Sequence, residues 1–131
     1  MNAAAIDDFA ARYAAAWSSQ DAASVSLFFE ETGSLTINSG APSVGRAAIR
    51  DAAQSFMTAF PDLVVTFDGA SADGDRTVFR WTLAGTNTGP GGTGRAVRIS
   101  GHERWRFGAS GLIADSLGYF DAADYQRQIG G

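Results

Sequence analysis

At Pro61 the spacing of apolar residues changes. Before it they recur every third or fourth position, and after it every second. A chain built this way does not alternate strand and helix, so it cannot sustain a parallel doubly wound sheet. The first half reads as helices. Ile6, Phe9, Ala10, Tyr13, Ala14 and Trp17 form one helical stripe, with Asp7 and Asp8 expected in its first turn. Asp21 reads as the N-cap of a short second helix through Val25 and Phe28, and Gly33 as its end. Ser34 to Asn38 alternates like a strand, and Ser39 to Ser43 reads as a loop. A third helix opens near Gly45 with Ile49, Ala52, Ala53, Phe56 and Phe60 on one face, and Pro61 stops it.

The second half reads as four strands. Leu63 to Phe67 is the first, and Asp73-Gly74-Asp75 a turn. Thr77, Phe79, Trp81 and Leu83 share one face of the next strand. The Gly- and Thr-rich run from Gly85 to Gly94 is a loop without the Gly-Lys-Ser/Thr of a phosphate loop. Val97, Ile99, Gly101, Glu103, Trp105 and Phe107 then face one way, while Arg98, Ser100, His102, Arg104 and Arg106 face the other. After a turn at Gly108 to Gly111, Leu112 to Phe120 is the last strand, and Asp121 to Ile129 has the length of one or two helical turns. Short connections make the four strands an antiparallel meander. The expected architecture is α+β: a curved antiparallel sheet covered on one face by the helices of the N-terminal half.

Composition narrows the function. The 131 residues suit one domain and contain no cysteine and one histidine, so thiolate chemistry and Cys- or His-rich metal sites are excluded. Ten basic against fourteen acidic residues disfavour nucleic acid as a partner. No run approaches the ~20 apolar residues of a membrane helix. The N-terminal stretch has early acids and no basic region, so a signal peptide is not expected and a cytoplasmic protein is.

Glu103 is the unusual residue. Alternation puts its carboxylate among Ile99, Trp105 and Phe107, where a charge is costly and the carboxyl pKa rises. Kept protonated, it can donate a hydrogen bond. Tyr13, on the core stripe of the first helix, could converge with it on a substrate oxygen. Two plainer readings stand beside these: an arginine partner for Glu103 and a backbone carbonyl for the Tyr13 hydroxyl. His102 reads as a surface or dimer-contact residue. Asn38 either lines the pocket or begins a turn. Trp17, Phe56, Phe60 and Trp105 are either pocket wall or closed core.

The whole chain resembles the nuclear transport factor 2-like superfamily, in its SnoaL-like polyketide cyclase and ketosteroid isomerase branch. The matching motifs are Arg12-Tyr13 with Trp17 and Asp21-Ala22; Gly45 to Arg50; Phe60-Pro61-Asp62; Gly85 to Pro90 with Thr93-Gly94-Arg95; and Gly111-Leu112-Ile113 leading to Tyr119-Phe120-Asp121. The resemblance implies a cone-shaped barrel over residues 1–131 as one SnoaL-like domain. It also implies a deep pocket for an apolar ligand and a homodimer. Tyr13 falls where ketosteroid isomerases carry their oxyanion-hole tyrosine, and Glu103 where they carry the protonated acid. Their general base would fall at Ile37, or at Asn38 with a slip of one residue, and neither side chain is a base. The aspartate of SnoaL-like cyclases and limonene epoxide hydrolases falls at Gly118, with Asp121 three residues on and facing the other way. The Arg-x-Asp of the epoxide hydrolases reads Arg80-Trp81-Thr82 and keeps only the arginine.

The candidate catalytic set is therefore Tyr13, Glu103 and Asn38, and the candidate pocket set Trp17, Phe56, Phe60, Trp105 and Gly118. The expected chemistry is isomerisation or aldol-type cyclisation of an apolar, polyketide- or steroid-like carbonyl compound, without metal or cofactor. The alternatives are a binding module that has lost the base, and a closed domain that acts by dimerising.

Overall fold

The structure is a computed structural model that describes residues 2–130. Three helices and two strands come first: α1 (Ala3–Ser18), α2 (Ala22–Ser26), β1 (Phe29–Ile37), β2 (Ser43–Val44) and α3 (Arg46–Ala59). Four strands and a helix follow: β3 (Val64–Asp73), β4 (Arg76–Thr86), β5 (Ala96–Phe107), β6 (Ile113–Phe120) and α4 (Ala122–Ile129). The α+β class and the helices of the first half are as expected. Helix α1 begins earlier than its charges suggest, because Asn2 caps it by accepting from the Ala5 amide at 2.8 Å. Asp7 and Asp8 therefore lie beyond its first turn. Asp21 caps α2 as its position predicts, accepting from the Ala23 amide at 3.2 Å.

The six strands run in the order β2-β1-β6-β5-β4-β3. The meander β3 to β6 is antiparallel, but β1 joins β6 in parallel. The sheet is thus mixed, and it does not close into the barrel the resemblance implied: β2 and β3 remain its two edges. A parallel pair between the first and last long strands leaves no mark in a local apolar period, which records faces and not partners. Gly33 lies inside β1 rather than ending a unit. A Cβ there would meet the Ile113 carbonyl oxygen at 2.9 Å and that of Glu30 at 3.0 Å, at the register shift between Phe29 and Ser34. Glycine lets the two strands approach through this bulge.

The core lies between the helices and one face of the sheet. Phe9 and Tyr13 of α1 reach Trp105 of β5, with ring centroids 5.4 and 5.2 Å away. On the outer face, Arg76 grips Asp115 with two hydrogen bonds at 2.7 and 3.2 Å, tying β4 to β6 across β5. The loop after β4 is organised by the buried Asn87, which accepts from the Thr93 amide and donates to the Ala59 carbonyl.

Pairing with β6 starts at Gly101, so the first residues of β5 have no strand on that side. Helix α4 covers them. The Gln128 side chain accepts from the Arg98 amide at 2.7 Å and donates to the Arg98 carbonyl at 2.9 Å, as a neighbouring strand would. We expect Gln128→Ala to cost about 1 kcal/mol. Amide exchange at Arg98 should speed up while that at Glu103 stays unchanged.

Candidate functional site

Glu103 is 7% exposed and points toward the helices, as strand parity requires. Its carboxylate meets three donors. The Trp105 indole Nε1 donates to Oε1 at 3.0 Å and the Ser116 hydroxyl to Oε1 at 2.7 Å. The Tyr13 hydroxyl lies 3.1 Å from Oε1 and 3.0 Å from Oε2. Local geometry explains the set. Trp105 is two residues along the same strand and hence on the same face. Ser116 is the cross-strand partner of Trp105. Tyr13 arrives from α1. No arginine takes part, so the ion-pair reading of Glu103 is excluded. Oε1 is taken up by Trp105 and Ser116. Among the described residues, Tyr13 alone lies within hydrogen-bond distance of Oε2.

Burial pushes the Glu103 carboxyl above its ordinary value; hydrogen bonds from Ser116, Trp105 and Tyr13 pull it back without cancelling the rise. Burial pushes the Tyr13 phenol well above its own value, and the neighbouring Glu103 charge pushes it further. Tyr13 therefore stays protonated and acts as a donor. Asp115 behaves oppositely: the Arg76 hydrogen bonds hold it below its ordinary value.

These shifts set a pH dependence. A raised carboxyl stabilises the fold fully below its unfolded value, 4.5 for Glu103, and that contribution is lost as pH rises through the folded value. Asp115 contributes above its unfolded value of 3.8, and its share is lost as pH falls through its folded value. Urea melts from pH 4.5 to neutrality should thus show a decline in the wild type that Glu103→Gln removes.

An apolar cavity of about 50 Å3 opens beside Glu103. Three successive rows of inward residues form its sheet side. The first row runs Ile37, Gly118, Glu103, Phe79 across β1, β6, β5 and β4. The second runs Phe120, Gly101, Trp81, and the third Ile99, Leu83. Trp17 and Phe56 close it from the helices, their rings 6.1 Å apart. Among the described residues that line this cavity, Glu103 is the one carboxyl, and Tyr119 also borders it. Among the described residues, no group of three or more His, Asp or Glu side chains could hold a metal ion.

The candidate residues separate accordingly. Trp17, Phe56, Gly118 and Glu103 line the cavity. Four others do not. Tyr13 is fully buried behind Glu103 with its hydroxyl spent on that carboxyl, so the two donors do not converge on the cavity. Trp105, also fully buried, is stacked on Phe79 at 4.8 Å. Phe60 packs at the other end of the core against Tyr125 of α4, at 6.3 Å. Asn38 takes the turn reading: at φ 53° it extends the β1–β6 ladder, its amide donating to the Gly118 carbonyl at 2.8 Å and its Oδ1 accepting from the Phe120 amide at 2.9 Å. His102 lies on the outer face, 5.7 Å from the Tyr119 ring. Ser116 went unnoticed, although the parity that places Gly118 inward places Ser116 inward too. The donor role of the Trp105 N–H was missed as well; its spacing of two from Glu103 was the signal.

The family model of the SnoaL-like domain matches residues 10–116, most of the chain and all of this site but Gly118, Tyr119 and Phe120. The chain belongs to the SnoaL-like domain family. No curated protein matches this SnoaL-like chain in sequence. Solved structures match it in fold. TsrD from Streptomyces laurentii has a TM-score of 0.83 at 21% identity over 99% of this chain and 98% of its own. A protein from Catenulispora acidiphila with a ketosteroid isomerase-like fold, in complex with trimethylamine, has 0.81 at 18% over 94% and 92%. An NTF2-like protein of unknown function from Burkholderia pseudomallei has 0.79 at 18% over 95% and 97%. At these identities the likeness is one of fold. No helix among the described residues is long and apolar enough to cross a membrane.

Proposed function

We propose that this SnoaL-like protein binds a small apolar ketone against Glu103 and moves a proton between its α-carbon and the Glu103 carboxylate. One observation carries this: a buried carboxyl, raised above its ordinary value by burial, stands in a largely apolar wall. Burial that raises a carboxyl's pKa makes its carboxylate a stronger base. Ionised Glu103 takes the α-proton on Oε2, leaving an enolate. The protonated carboxyl returns the proton to the same carbon or to a conjugated one, which is an isomerisation. Trp105 and Ser116 hold Oε1 still, and Tyr13 positions Oε2. A cavity of about 50 Å3 is well below the ~300 Å3 of a drug-sized site and suits a few heavy atoms rather than fused rings.

A second reading, a binding module, draws on Ile37 and Gly118. They lie in the same register row as Glu103, on its β6 and β1 side, and leave the family's other carboxylate positions apolar. Proton NMR of cyclohexanone in D2O separates the readings. We expect the protein to speed loss of the α-proton signals over buffer. Saturable binding without faster exchange would leave the module reading, and no binding at all would remove both.

A further inference from the structure

Gly101 sits at the centre of the three rows that form the cavity's sheet side, yet it is not on the cavity wall. The Trp81 indole covers it. A Cβ on Gly101 would lie 2.3 Å from the Tyr119 carbonyl oxygen, 2.6 Å from Trp81 Cζ2 and 3.0 Å from Cη2, so the backbone of β6 and the six-membered ring of Trp81 share the space a side chain would need. From there the indole reaches Phe120 across the strand, with ring centroids 6.2 Å apart and planes at 65°. Trp81 is half-buried and lines the cavity. The two central glycines thus have opposite consequences. Beside Gly118 no ring lies over the backbone: a Cβ there would meet the Thr36 carbonyl oxygen at 3.3 Å and Glu103 Cγ at 3.7 Å. Beside Gly101 the Trp81 ring lies against the backbone, next to the Tyr119 carbonyl.

We propose that Trp81, seated on Gly101, sets the size of molecule that this site accepts. The inference rests on the reading that the Glu103 cavity binds an apolar ketone. Removing the indole widens the cavity over Gly101, between the first row and Ile99 and Leu83. The carboxyl, its three donors and the helix side of the cavity are untouched. Trp81 is therefore a specificity residue: it excludes a second ring and makes no contribution to the proton transfer.

The test uses two ketones, one-ring cyclohexanone and two-ring 1-tetralone, titrated into the wild type and Trp81→Ala and followed by backbone amide shifts of Gly118. We expect the wild type to bind cyclohexanone and to discriminate against 1-tetralone. Trp81→Ala should bind 1-tetralone about tenfold or more tightly than the wild type does, and the preference for cyclohexanone over 1-tetralone should fall by at least as much. Trp81→Leu keeps an apolar body without the second ring; it carries the same expectation if the alanine variant no longer melts cooperatively. A wild type that binds cyclohexanone, beside variants no better for 1-tetralone, would overturn the role of Trp81 and leave the proposed function intact. No shift with either ketone in any of these proteins would overturn both.

Discussion

Glu103→Gln should slow α-proton exchange of cyclohexanone by about 10²–10⁴-fold and change its affinity by less than about tenfold. The amide is nearly the same size and keeps the local bonds. Its carbonyl oxygen can accept from Trp105 and Ser116, and its NH2 can donate to the Tyr13 oxygen, because a phenol accepts as well as donates. The pocket shape therefore survives, and only the ability to hold a proton is lost. Glu103→Leu makes the contrast. It strands three donors beside an apolar side chain, at about 1–3 kcal/mol each, so its loss of activity would say nothing about proton transfer. The pH profile adds an independent readout. Exchange by the wild type should rise as Glu103 ionises, at a pH above the ordinary carboxylate range, and the glutamine variant should have no such limb. An unchanged exchange rate in Glu103→Gln would rule out Glu103 as the proton carrier.

Much of this site was legible because strand parity and helical stripes record which way a side chain faces. The β5 alternation alone puts Glu103, Trp105 and Gly101 inward, and the α1 stripe does so for Tyr13. Depth and partners were not legible. Phe56 and Phe60 lie on one stripe of α3, yet only Phe56 reaches the cavity; Phe60, one turn on at the helix end, meets α4 instead. Trp81 and Trp105 share one sheet face and differ only in what stands opposite. Trp81 faces Gly101 and lies down over it, while Trp105 faces Ser116 and is held by Tyr13 and Phe79. Asn38 has a side chain suited to catalysis, but its left-handed backbone follows from the parallel β1–β6 pairing, a contact between the two ends of the chain.

Trp105→Ala should be the most damaging single change to the fold, costing about 3–5 kcal/mol. That is a large part of the ~5–15 kcal/mol that holds a domain of this kind together. Trp105 is fully buried and joins the aromatic cluster of α1 to the sheet, touching Phe9, Tyr13, Phe79 and Phe107 at centroid distances from 4.8 to 5.8 Å. The loss has two physical parts, and Trp105→Phe separates them. Phenylalanine keeps most of the packing but removes the N–H that Glu103 Oε1 accepts. That bond favours the ionised carboxylate, so without it the Glu103 carboxyl should rise further, and the pH at which exchange activity appears should move up with it. Chemical denaturation at low pH, where Glu103 is protonated in both proteins, should show a smaller deficit for Trp105→Phe than denaturation at neutral pH. An equal deficit at both values would mean that the indole acts by packing alone and leaves the carboxyl's proton affinity to burial, Ser116 and Tyr13.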